Sequence, residues 1–95
     1  MGAAVGLLTL SLYIPGSGSL KGRRAVVKSL KDRIRAKFNV SVAEIDDEEL
    51  WQRATIAVAC VSGDGAYANE TLNRVVDLAR GLPDAELLDY AIETL

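Results

Sequence analysis

The spacing of apolar residues switches four times along this chain, and each switch changes the kind of element the segment can form. Leu8, Leu10, Leu12 and Ile14 alternate with Thr9, Ser11 and Tyr13. A period of two predicts a strand over 4–14 with one buried face. Pro15-Gly16-Ser17-Gly18 stops it. From Ser19, a helix cap, the period lengthens: Val27, Leu30, Ile34 and Phe38 step by three and four residues, predicting a helix to Lys37. Short alternation returns over 39–45, with Val40 and Val42 on one side. The Asp46-Asp47-Glu48-Glu49 run reads as a solvated turn. Residues 52–62 predict a third strand with Ala54, Ile56, Val58 and Cys60 inward. Asp64 caps a second helix whose stripe is Ala68, Leu72, Val75, Ala79 and Leu82, ended by Gly81 and Pro83. Residues 85–94 are a last strand, with Leu88, Tyr90 and Ile92 expected inward.

The order β-α-β-β-α-β predicts a ferredoxin-like α+β fold: an antiparallel four-stranded sheet with two helices on one face. With 95 residues and 49% apolar side chains, residues 1–95 form one domain around one core. The first and third strands should be central. Their other face then shows Val5, Leu7, Thr9, Ser11, Tyr13, Thr55, Ala57, Ala59 and Val61, small and almost uncharged. A bare face of this kind predicts a homodimer or higher homo-oligomer.

Composition removes whole classes of chemistry. The chain has no histidine and one cysteine. Ser-His-Asp and Cys-His nucleophile systems, an internal disulfide and a cysteine-based zinc site are excluded. No catalytic or metal-binding residues, and no cofactor, are expected. The acidic run lacks calcium-loop spacing, and the Pro15–Ser19 loop lacks the Gly-Lys-Ser/Thr ending of a P-loop. Cys60 reads as a small core residue. The apolar start has no preceding Lys or Arg and no A-x-A-like site after it, so a cytoplasmic location without membrane insertion is expected.

Three segments carry a family resemblance. They are Ile14-Pro15-Gly16 with Ser19-Leu20-Lys21, Arg24 and Val26–Leu30; Lys37-Phe38-Asn39-Val40-Ser41-Val42-Ala43-Glu44; and Leu50-Trp51-Gln52-Arg53-Ala54. Together they resemble the YlxP-like family of small bacterial proteins, a family without an established function. The resemblance implies a ferredoxin-like fold. Genes of that family often sit beside those for translation initiation and ribosome maturation factors, which leans toward RNA.

Charge is unevenly placed. Residues 20–37 hold eight Lys and Arg against Asp32, a net +7, while the rest of the chain holds three against twelve, a net −9. At about 100° per residue, Lys21, Arg24, Lys28, Lys31 and Arg35 fall within roughly 80° of arc. With Arg23, they are the candidate residues for contact with structured RNA or a ribosomal particle. Aromatic stacking on the central strands, the usual RNA device of this fold, is missing, since Thr55, Ala57 and Ala59 occupy those positions. Tyr13, Trp51 and Arg53 are candidate partner-binding residues. The alternative function is a non-enzymatic, homo-oligomeric module that binds a protein partner or senses a small ligand through the open sheet face.

Overall fold

A computed structural model describes residues 2–15, 19–45 and 52–95. Its elements are β1 (Ala4–Tyr13), α1 (Leu20–Lys37), β2 (Ser41–Glu44), β3 (Arg53–Ser62), α2 (Gly65–Arg80) and β4 (Glu86–Thr94). The strands form one sheet in the order β2-β3-β1-β4, every neighbour antiparallel. This is the expected ferredoxin-like arrangement, with β1 and β3 central. The acidic run 46–49, Gly16–Gly18 and Trp51 lie outside the described residues.

Both helix starts follow their caps. The Ser19 hydroxyl accepts a hydrogen bond from the Gly22 amide at 3.1 Å, and the Asp64 carboxylate accepts one from Ala66 at 2.9 Å. Each satisfies a backbone donor that has no partner within the helix. The core lies between one sheet face and the helices. β1 contributes Leu8, Leu10 and Leu12; β3 contributes Ile56, Val58 and Cys60; α1 contributes Val27, Leu30 and Ile34; α2 contributes Leu72, Val75 and Val76. Gly6 continues the inward set of β1, and Leu72 lies directly over it. A Cβ at Gly6 would sit 2.7 Å from Leu72 Cδ1, so the missing side chain permits this close helix–sheet approach.

β4 departs from its expected phase. Ser11 pairs with Asp89 but Leu12 pairs with Leu87, so Leu88 is an extra residue that bulges out of register. Leu88 is therefore exposed, and Leu87 packs against the core in its place. Ile92 is on the inner side as expected. Tyr90 shares that side, opposite buried Leu10, yet it lies at the sheet edge and stays partly exposed beneath the Arg80 guanidinium, 5.4 Å from its ring centre.

Candidate nucleic-acid interface

The apolar stripe of α1 turns the helix so that one flank runs along the outer side of β2. Lys21, Arg24 and Lys28 on this flank are exposed, and Lys31 is half-buried. Among the described residues, no ion pair or hydrogen bond engages Lys21, Arg24 or Lys31. From Lys21 to Arg35 the stripe is about 21 Å long at the usual helical rise. Arg24, Lys28, Lys31 and Arg35 border a shallow hollow of about 360 Å³, with Asp32 and Glu44 also on its wall.

Arg23 does not join this stripe. It is 7% exposed and lies inside the fold. Its Nε donates to the Arg53 carbonyl at 3.0 Å, and its Nη2 pairs with the Glu44 carboxylate. An arginine committed in this way links α1 to β2 and β3 and is turned inward, away from the exposed stripe. The sequence carried a signal for this. Positions 23, 27, 30 and 34 share one helix face, which places Arg23 in the middle of the buried stripe.

Two further cations are partly engaged. Arg35 donates to the Val42 carbonyl at 3.0 Å, reaching the outer edge of β2, and lies 3.9 Å from Asp32. Lys28 donates to Asp32 at 2.8 Å. That hydrogen bond, with the nearby charges of Lys28, Arg35 and Lys31, holds the Asp32 carboxyl below its ordinary range against an opposing desolvation. Asp32 is exposed, so these pairs are water-screened and are readily exchanged for an external anion.

Tyr13 and Arg53 are register partners at one end of the sheet, on the face away from the helices. Trp51, the third candidate of that group, lies outside the described residues. Along the same face, the paired positions of β1 and β3 are Leu7 with Ala59, Thr9 with Ala57, and Ser11 with Thr55. None of these is a stacking platform for bases. Among the described residues, no group of three or more metal-ligating side chains is brought together. No helix among them is long and apolar enough to cross a membrane.

A feature missed by the sequence reasoning is a half-open cavity of about 650 Å³ where the end of α1 meets α2. Phe38, Cys60, Tyr67 and Leu78 provide apolar and aromatic walls; Lys37, Asn39, Thr71 and Arg74 provide polar groups. Tyr67, Thr71, Arg74 and Leu78 follow one another at four-, three- and four-residue steps, so a single flank of α2 lines it.

Residues 5–92 match the family described as a protein of unknown function, DUF503. The chain belongs to the DUF503 family. A DUF503 relative, the uncharacterized protein YlxP of Bacillus subtilis (strain 168), is 35% identical over 82 residues, covering 86% of this chain and 89% of its own. The expected YlxP-like membership is thereby met. Among solved structures, the de novo designed protein Foldit4 superposes with a TM-score of 0.59 at 11% identity, covering 99% of this chain and 97% of its own. A C-terminal segment of the alpha subunit of aIF2 from Pyrococcus abyssi gives 0.56 at 14% identity, covering 97% of this chain and 50% of its own. SnoaB, a cofactor-independent oxygenase from Streptomyces nogalater, gives 0.53 at 9% identity, covering 97% of this chain and 92% of its own. These likenesses concern the fold alone.

Proposed function

We propose that this DUF503 protein is a non-enzymatic RNA-binding protein that grips the backbone of a structured RNA, free or within a ribosomal particle, through the outward flank of α1. The observation that carries the reading is the row Lys21, Arg24, Lys28 and Lys31. It lies along one helix flank of a chain whose remaining charge is negative, and Asp32 is the acid set among these residues. Arg23 takes no part, and Arg35 contributes with what its bond to Val42 leaves available. Contact of this kind follows phosphates and shape, because the helix presents long cationic side chains and the sheet presents no aromatic row.

The test is binding of a structured RNA hairpin, followed by fluorescence anisotropy across salt. Four phosphate contacts predict a log–log salt slope near about −3.6, so raising salt fourfold weakens binding about a hundredfold. Lys28→Glu with Lys31→Glu should flatten the slope by about two and abolish binding at moderate salt. Equal binding by wild type and the double variant would remove the proposal.

A second reading is favoured by the cavity between α1 and α2. Its volume of about 650 Å³ is in the range of small-molecule sites, and its lining mixes two aromatic rings with Lys37 and Arg74. A ligand screen by thermal shift, repeated on Tyr67→Ala, tests it. Stabilisation by a compound that survives this truncation would place the ligand elsewhere.

A further inference from the structure

The face of the sheet opposite the helices is an interface in search of its other half, and we infer that the other half is a second copy of this chain, with β4 of each copy lying over β2 of the other. This inference concerns the sheet face opposite the helices; it shares Arg35 with the RNA-facing flank of α1 but does not rest on that reading.

The first ground is chemical. The outward positions of the two central strands are Val5, Leu7 and Thr9 facing Val61, Ala59 and Ala57 across the register. Val61 is 64% exposed. Ala43 of β2 and Ala91 of β4 extend the same rows outward, opposite Ala57 and Thr9 respectively. Small, uncharged side chains let two sheets approach at the ~10 Å spacing of a sandwich with no charge buried at the centre.

The second ground is area. Three strands of nine or ten residues and one of four, at about 3.3 Å per residue and about 4.8 Å per strand, present roughly 500 Å² of face per copy. With β4 over the shorter β2, pairing two such faces covers about 900 Å², just under the lower bound of about 1,000 Å² for a stable specific interface. The face is thus sized for a weak, reversible dimer.

The third ground is charge, and it selects the orientation. The outward acids stand along β4: Glu93 is level with Leu7, Ala59 and Ser41, Asp89 with Ser11 and Thr55, and Glu86 with Tyr13 and Arg53. At the opposite edge of the sheet, Arg35 reaches β2 at Val42, one residue from the level of Ser41. A two-fold axis parallel to the strands keeps each level and exchanges the two edges. It therefore carries Glu93 of one copy toward Arg35 of the other, and Glu86 toward Arg53. An axis across the strands would set β4 over β4 and bring like charges together.

Sedimentation equilibrium of the full chain, from micromolar to millimolar concentration, tests the inference. A reversible rise from 10.2 kDa toward twice that mass is expected. Ala57→Glu, at the centre of the face, should weaken dimerisation more than about a hundredfold, because the two-fold buries two unpaired carboxylates. An unchanged circular dichroism spectrum and melting curve at low concentration separate this effect from misfolding. Glu93→Arg should weaken the dimer about tenfold, and combining it with Arg35→Glu should restore it. A wild-type mass of one chain at millimolar concentration overturns the inference, as does a dimer that tolerates Ala57→Glu. A double charge reversal no stronger than Glu93→Arg overturns the orientation.

Discussion

Replacing Arg23 with alanine removes the one charged side chain that is buried among the described residues, and the structure gives the size of the effect. Three contributions are lost together. The Arg53 carbonyl loses its donor at 3.0 Å, at about 1–3 kcal/mol for a polar group left unmet. The Glu44 carboxylate loses its partner; a fully buried pair broken in this way costs about 3–5 kcal/mol, but Glu44 is 26% exposed and water reaches it, which draws the figure down. The arginine stem also stops covering the core edge. These contributions overlap, and the expected net loss is about 3 kcal/mol. For a domain of this size it corresponds to roughly 12–24 °C in melting temperature. Equilibrium unfolding in urea measures it directly. Arg23→Met keeps the stem and isolates the polar loss, at about 2 kcal/mol. Arg23→Met combined with Glu44→Leu removes both charges and should recover most of that loss. If the stability of Arg23→Ala lies within about 1 kcal/mol of wild type, or if the double replacement is no more stable than Arg23→Met, then Arg23 does not hold α1 to the sheet as described. Folded Arg23→Met should bind RNA with the wild-type salt slope, since this side chain faces inward.

Other consequences can be checked more briefly. Gly6→Ala drives a methyl into Leu72 Cδ1, and because Leu72 is fully buried the strain should cost about 1–3 kcal/mol in urea unfolding. Asp32→Asn removes the acid that competes for Lys28 and Arg35, so the RNA salt slope should steepen by up to about one with no change in melting temperature at neutral pH beyond that of a screened surface pair. The lowered Asp32 pKa stabilises the fold above the ordinary carboxylate pKa, and this contribution fades as pH falls through the folded-state value; in Asp32→Asn that part of the acid dependence should be missing from a pH series of melts. Cys60, 3% exposed, should resist a thiol reagent in the native protein and react at once in urea.

The order and type of every element were readable from spacing, because a period of two and a period near 3.6 cannot be satisfied by one backbone. Boundaries were close: the first strand ends at Tyr13 against an expected 14, and β2 covers Ser41–Glu44 inside the expected 39–45. The bulge was not readable. Leu87 and Leu88 are adjacent leucines, so either phase of β4 places a leucine inward, and only pairing with β1 decides. Arg23 was assigned by charge when its helical position already put it among Val27, Leu30 and Ile34. The cavity beside Tyr67 arises from three segments distant in sequence, Lys37–Asn39, Cys60–Val61 and Tyr67–Leu78, and no local pattern announces it.

The displaced residue at Leu88 has a consequence for how this molecule behaves when crowded. An open β edge is a template on which another chain can lengthen a sheet, and repeated addition leads to fibrils. Here one border is broken by the bulge near its start and carries Glu86, Asp89 and Glu93, while the other offers only four residues. A strand laid along the first border would meet a row of carboxylates and a break in register, and one laid along the second would find few partners. Edgewise growth is thereby discouraged, and the protein can keep a broad bare surface without seeding aggregates.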